Sequence, residues 1–487
     1  MQKISKFLTL LVFTVIFIED VHAHEQEIYG KGLPRDIDLI PQEADYPEWK
    51  TSSFNSVDPK RMKEVVEDLS NIAIESKQRT QYWGRLPGTP EDKKTLTYIE
   101  SKFRNLGYKI TKKKVSIDRD WRPSSWALGY DFENKSVKIH SAFPTGENAK
   151  HTNSMIKAEL VWVGLGSEAD FIGKDVKGKA VLIYSFFVPG GRSHSASSRA
   201  KLFYANRLAS KKGAALIINI MGVPGNGVFA GAAFHSTNGN PTKSLNSPVI
   251  TISQDEGFLL RDRLVQERIF IDFEMQIDVI ENLETTYMMA SLDGVSKEEI
   301  FIGAHTDGFF QGAMDNASGI AVGLEMAKYF SDQKKSERPR SITFFFYPDH
   351  HHGEYSVREV EDSYNWDNVA SVITLEHPSQ SQLYWFNEDL MVSNSIGSFR
   401  WNVNGSEDLK KIFKSRLREN GVSIYSLMTD KPKLTDRAPG FHIIDHVIYH
   451  TTFDMPELVP AEGMKRSTKA FLGMIEDINN LSLEELR

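Results

Sequence analysis

The chain contains no cysteine among its 487 residues. Disulfide frameworks, thiolate zinc fingers, iron–sulfur ligation and cysteine nucleophiles are therefore excluded, and any bound metal must be held by histidine and carboxylate. A large excess of positive charge is also missing: 58 Lys+Arg stand against 65 Asp+Glu, a formal net charge of −7. That balance does not draw the whole chain to a phosphate backbone, which argues against a nucleic-acid partner. After the N-terminal region no apolar run approaches the ~20 residues of a membrane-spanning helix. Internal repeats and low-complexity segments are absent as well. What is present, 40% hydrophobic side chains, can bury a substantial core and predicts two or three domains.

At the N-terminus Lys3 and Lys6 precede the apolar run Phe7 to Ile18, and Val21-His22-Ala23 places small residues where a signal peptidase reads. The run is short for a membrane span, and Glu19 and Asp20 follow it at once. Residues 1–23 read as a cleaved secretory signal, which predicts an exported protein, periplasmic or secreted, free of the membrane after cleavage.

From Ser56 to Leu106 the apolar spacing is helical, interrupted by the loop Tyr82 to Pro90 and stopped by Gly107. Tyr108 to Ile117 alternates like a strand, and residues 120 to 155 turn aromatic and irregular. A small α/β unit follows, with strands at Ala180–Phe186, Ala214–Ile220 and Pro248–Ile252 and a helix at Lys201–Lys212. Met221 to Asn246 reads as exposed loop because it is rich in Gly, Asn, Pro and Ser. After Met275 a βα rhythm resumes: strands at Glu299–Gly303, Ser341–Tyr347, Ala370–Leu375 and His446–Tyr449, helices at Ala317–Gln333, Leu409–Asn420 and Pro460–Leu481. Alternating strands and helices predict a mainly parallel, doubly wound α/β sheet with a smaller α/β unit inserted. The expected divisions are 1–23, 24–125, 126–275 (the insert) and 276–487.

Eight of the 14 histidines fall after residue 300, most of them just past a predicted strand. In open α/β sheets ligands bind at the carboxyl ends of the strands. Four such ends carry metal-competent side chains: His305-Thr306-Asp307 with Asp315 beyond it, Asp349-His350-His351-His352, Glu376-His377, and His450. If the sheet brings them together, they have the make-up of a hydrolytic zinc site, in which the cation acidifies a bound water. His377 is expected to point away from Glu376. His442 and His446 read as surface or core residues, and Tyr384-Trp385 as packing.

These residues carry a resemblance. Ala304-His305-Thr306-Asp307-Gly308 followed by Gly312-Ala313-Met314-Asp315-Asn316-Ala317-Ser318-Gly319 resembles the central signature of metallopeptidase family twenty-eight, which comprises two-zinc aminopeptidases and glutamate carboxypeptidases. Tyr449-His450-Thr451-Thr452-Phe453-Asp454 resembles its C-terminal histidine motif, and Gly84-Arg85-Leu86-Pro87-Gly88-Thr89-Pro90 its N-terminal one. The likeness covers about residues 60 to 120 and 280 to 480. Residues 126 to 275 resemble the protease-associated domain inserted in such enzymes. The resemblance implies a zinc-exopeptidase-like fold in which Asp315 bridges two zinc ions, His305 and Glu376 complete one, and His450 serves the other. Asp307 would stand behind His305 to fix its tautomer. Asn316, Ser318 and Gly319 would shape the turn.

One motif departs from the family. Where relatives carry Glu-Glu after the apolar strand, this chain has Asp349-His350-His351-His352-Gly353-Glu354. Alignment on Gly353 puts His350 at the general-base position and His351 at the metal-ligand position. Imidazole binds zinc without prior deprotonation. Exchanging one carboxylate for it raises the net charge of a two-zinc set from about +1 to about +2 and weakens retention of the second metal, so two zinc ions are expected, or a single tightly held one. His350 and Asp349 are equal candidates for the base, with Glu354 a third. The expectation is an exported zinc exopeptidase acting on peptides, an aminopeptidase rather than a carboxypeptidase because no Arg cluster near the motifs marks a carboxylate-recognising pocket. The alternatives are a catalytically impaired pseudo-peptidase that binds metal or peptide, and a zinc amidohydrolase acting on non-peptide amides.

Overall fold

The computed structural model describes residues 31–32, 53–144, 155–184, 196–230, 245–386, 389–428, 434–445 and 448–487. Residues 1–23, read above as a signal peptide, and His446 lie outside the described residues. Among the described residues no helix is long and apolar enough to cross a membrane.

At the centre of the main sheet lie four parallel strands in the order Ser341–Tyr347, Glu299–His305, Val369–Leu375 and Gly440–Ile444. Strands Phe399–Asn404 and Ile424–Leu427 extend one side, and the end of Phe270–Leu292 pairs antiparallel on the other. The central strands are near-continuous apolar runs buried on both faces, as parallel strands covered by helices must be. Helix Pro59–Lys77 turns Met62, Val65, Val66, Leu69 and Ile72 inward at helical spacing, and helix Gly319–Asp332 is buried along most of its length. The first starts at Asp58, whose carboxylate accepts the Lys60 N–H at 2.9 Å.

The irregular stretch expected after residue 120 is instead part of a long strand. Lys109–Phe132 and Phe270–Leu292 pair antiparallel from Lys109↔Ser291 to Tyr130↔Ile271, with a register shift at Gln276/Ile277. The aromatic residues Trp126 and Tyr130 alternate into a second core, which is why composition alone hid the strand. This ribbon carries the chain out of the main sheet and back. Between its arms lie strands Ile156–Trp162, Ala180–Tyr184, Leu216–Ile220 and Val249–Ile252, which pair parallel in that order.

Two further expectations change. The last central strand is Gly440–Ile444, and Ile448 to His450 form a turn rather than a strand. The described part of the Met221–Asn246 loop is largely buried: Met221, Val223 and Phe229 join the core of the main sheet. Its Gly and Pro content signalled a turn-rich path but said nothing about its burial.

Candidate metal centre

Because the four central strands are parallel, their carboxyl ends open on one edge, and each delivers a donor there. His305 is the last residue of its strand. His350, His351 and His352 form one tight turn after Ser341–Tyr347, and Glu376 and His377 follow Val369–Leu375. His450 lies six residues past Gly440–Ile444.

Asp315 is the hub. Its Oδ1 lies 3.0 Å from His305 Nε2 and 3.0 Å from His377 Nε2, and its Oδ2 lies 3.4 Å from His351 Nε2 and 3.2 Å from His450 Nε2. All five side chains are buried. Among the described residues neither Asp315 oxygen, nor Nε2 of His305 or His450, makes a hydrogen bond despite these close approaches. Buried donors and acceptors are otherwise almost always satisfied. Lone pairs converging without partners fit a cation, and the groups His305/Glu376/His377 and Asp315/His351/His450 each bring their ligand atoms within 4.8 Å of one another. The residues present can therefore hold metal.

Several features fix the hub. Asp315 sits in the turn Ala313–Ser318, whose Met314 and Asp315 N–H groups donate to the Asp454 carboxylate at 2.5 and 3.0 Å. Asn316 donates to the carbonyls of His305 and Leu375 and accepts the His377 N–H at 3.3 Å, so it ties two ligand-bearing loops together. Gly312 precedes the turn at φ +53°, and a side chain there would overlap the Asp315 carbonyl. Beneath lies Arg85, fully buried, donating to the carbonyls of Thr306, Leu69, Gln311 and Gly312. Burial lowers its guanidinium to about 10 even though Asp454, Asp315 and Asp307 act to raise it. Asp454 is pushed up to about 7 by burial and by the charge of Asp315. Sequence reasoning placed Arg85 and Asp454 only inside motifs, and neither emerged as a partner of the centre.

The outer contacts differ from expectation. Asp307 accepts the His350 and His351 N–H groups at 3.2 and 2.9 Å and lies 2.8 Å from His351 Nδ1. Its carboxylate thus stands mainly behind His351. His305 Nδ1 instead lies 3.0 Å from the Asp307 carbonyl oxygen and 3.3 Å from Oδ1. His377, expected to point away, points in. Glu376 sits one step back, 3.6 Å from His350 Nε2 and 3.4 Å from His442 Nε2, so His442 also belongs to the site. The neighbours Glu376 and His377 reach the same site because His377 has φ +50°, which breaks the strand's alternation. Left-handed non-glycine residues also occur at Phe310, Glu354 and His450. Such conformations are costly and cluster where surrounding packing holds a site in place.

Asp349 has one oxygen tied to a helix start, while its Oδ1 is buried without a hydrogen bond among the described residues. Its Oδ2 accepts the Ser356 N–H at 2.8 Å at the start of helix Tyr355–Ser363, and burial raises its carboxyl to about 6. His350 Nδ1 lies 2.8 Å from Glu354 Oε1, and its ring lies 4.4 Å from that of His305. Burial opposes a charge on His305, yet Asp307 and Asp315 outweigh it and push the imidazole up to about 10. Burial and the neighbouring His351 drive His450 down to about 3.

A mixed α/β fold with a large, mostly parallel central sheet is shared with solved aminopeptidases. BSAP, a zinc aminopeptidase from Bacillus subtilis, superposes with a TM-score of 0.60 at 16% identity, covering 88% of this chain and 98% of that one. A Peptidase M28 precursor from Shewanella amazonensis SB2B gives 0.63 at 16% identity over 88% and 99%. In sequence the chain is 22% identical over 424 residues to Aminopeptidase YwaD of Bacillus subtilis (strain 168), covering 79% of this chain and 82% of that protein. Residues 288–475 match the Peptidase family M28 profile, and the chain carries a Peptidase M28 family domain.

Proposed function

We propose that this protein is an exported zinc aminopeptidase that removes N-terminal residues from peptides. The observation that carries the reading is the Asp315 carboxylate, each of whose oxygens faces two imidazoles. Two zinc ions would share Asp315, one held by His305 and His377 with Glu376 in reserve, the other by His351 and His450. Zinc there supplies Lewis-acid polarisation and a water of lowered pKa.

The chain's own groups do the rest. His350 is the proton carrier: its Nδ1 is anchored by Glu354, and its Nε2, 3.6 Å from Glu376 Oε1, would take a proton and return it to the leaving amine. Asp349 is the weaker candidate for that role, since one of its oxygens is held at a helix start. Asp307 and Asp454 orient ligands and hub. A preference for aminopeptidase activity is supported by YwaD and by Arg85, whose donors are directed to backbone carbonyls and not to a substrate carboxylate. The unit between the arms of the ribbon serves as the protease-associated insert.

Metal analysis and substrate panels test this. The purified chain should hold about two zinc ions, release free amino acids from peptides with open N-termini, lose that activity to a chelator and regain it with zinc. Release of C-terminal residues from N-blocked peptides would instead mark a carboxypeptidase. A zinc-loaded chain inert on every peptide would be a pseudo-peptidase.

A further inference from the structure

Of the four imidazoles that face Asp315, three are held from behind. His305 Nδ1 lies 3.0 Å from the Asp307 carbonyl, His351 Nδ1 2.8 Å from Asp307 Oδ2, and His377 Nδ1 2.6 Å from the Asp445 carbonyl. Contacts of this kind fix the tautomer and ring plane of a metal-ligating histidine. His450 lacks one. Among the described residues its Nδ1 is buried without a hydrogen bond, and its backbone sits at φ +55°.

What holds it comes from a distant part of the chain. Ala230 N–H donates to the His450 carbonyl at 2.9 Å, Thr452 N–H to the Val228 carbonyl at 3.0 Å, and Val228 N–H to Thr452 Oγ1 at 3.0 Å. Phe229 and Thr451 form an antiparallel bridge. These residues follow strand Leu216–Ile220 of the unit between the ribbon's arms, yet Phe229 is buried in the core beside the central parallel strands. Gly227 passes so close to the Phe453 ring that any Cβ there would overlap it.

We infer that this strap, Gly227–Ala230, is the positioning element of His450. It holds the backbone of the ligand turn in its left-handed conformation; its hydrogen bonds reach the main chain of the turn and the Thr452 hydroxyl, so it sets where the fourth imidazole is presented and not its tautomer. The unit between the ribbon's arms is thus built into the metal centre. The inference rests on the proposed role of His450 as a ligand, and it makes the two halves of the centre unequal. The His305/His377 side is anchored within the main sheet, whereas the His351/His450 side depends on the strap.

Chelator-competition titration of the full-length chain with zinc, paired with visible spectra of the cobalt-loaded form, tests this in Ala230→Pro and Thr452→Val. The first removes the N–H that reaches His450, and the second the side-chain acceptor of Val228. Both should weaken one ion, by about 10–100-fold on the scale of lost outer contacts, and abolish or shift one cobalt band, while the other ion keeps its parental affinity. General destabilisation would weaken both ions together, and that result overturns the inference. So do two folded variants with parental affinities. If Ala230→Pro does not fold, Thr452→Val alone decides by the same criteria. A parent chain that takes up no zinc sinks the functional reading, and this inference with it. A parent with two ions and unaffected variants sinks the strap alone.

Discussion

Asp307 grips His351 twice, through the backbone N–H at 2.9 Å and through Nδ1 at 2.8 Å. One carboxylate thereby fixes both the backbone and the ring of a proposed ligand. Asp307→Ala removes these contacts and the one to the His350 N–H. Zinc affinity should fall about 10–100-fold, as read by chelator competition. Unchanged affinity would show that His351 is positioned by something else.

His350 and Asp349 are neighbours with different surroundings, so their variants should separate. His350→Ala should lower kcat by about 10²–10⁴ with zinc content intact. Glu354→Gln should lower it less, because it perturbs only the anchor of the ring. Asp349→Asn should leave kcat near the parental value and cost about 1 kcal/mol of stability at the helix start it serves. Steady-state kinetics combined with thermal melts distinguish these outcomes, and a reversed order would reassign the base to Asp349.

Arg85 satisfies four carbonyls beneath the hub. Arg85→Met removes the donor that these carbonyls share, with Gly312 keeping the Ala317 N–H, and should destabilise the fold by roughly 3–5 kcal/mol. Denaturant titration measures the loss. A cost below about 1 kcal/mol would mean that water replaces the guanidinium.

Asp92 is nearly buried, accepts from Gly88 N–H and Thr285 Oγ1 at 2.8 and 2.6 Å, and is pushed up from 3.8 to about 6 chiefly by burial. Between those values the unfolded chain has lost its proton while the folded chain keeps it. Stability therefore falls as pH rises from about 4 to about 6 and levels off above, by roughly 3 kcal/mol. Asp92→Asn should flatten that part of the stability profile relative to the parent. Parallel profiles for the two proteins would contradict the assignment.

Much of the centre was legible in the sequence. Strand Ser341–Tyr347 is visible because an apolar run of strand length admits few other readings, and His305, Asp315, His351 and His450 stand out as donors just beyond such runs. His377 was misjudged because strand alternation turns one of two neighbours away, and no local signal announces a left-handed histidine. His442 reads as an ordinary core residue until the register beside Thr374 places it against Glu376. Phe229 lies in a Gly-rich stretch that carries no sign of the core it enters.

The amino-acid order by itself determined which elements can ligate a metal here and roughly where they lie along the chain. Side-chain chemistry and the period of apolar residues are local properties. Only the tertiary structure decided which imidazoles share each Asp315 oxygen, what stands behind His305, His351 and His377, and that the segment after Leu216–Ile220 packs on the His450 turn. Those relationships join residues as far apart as Ala230 and His450, and the register and packing of the whole sheet are what bring them together.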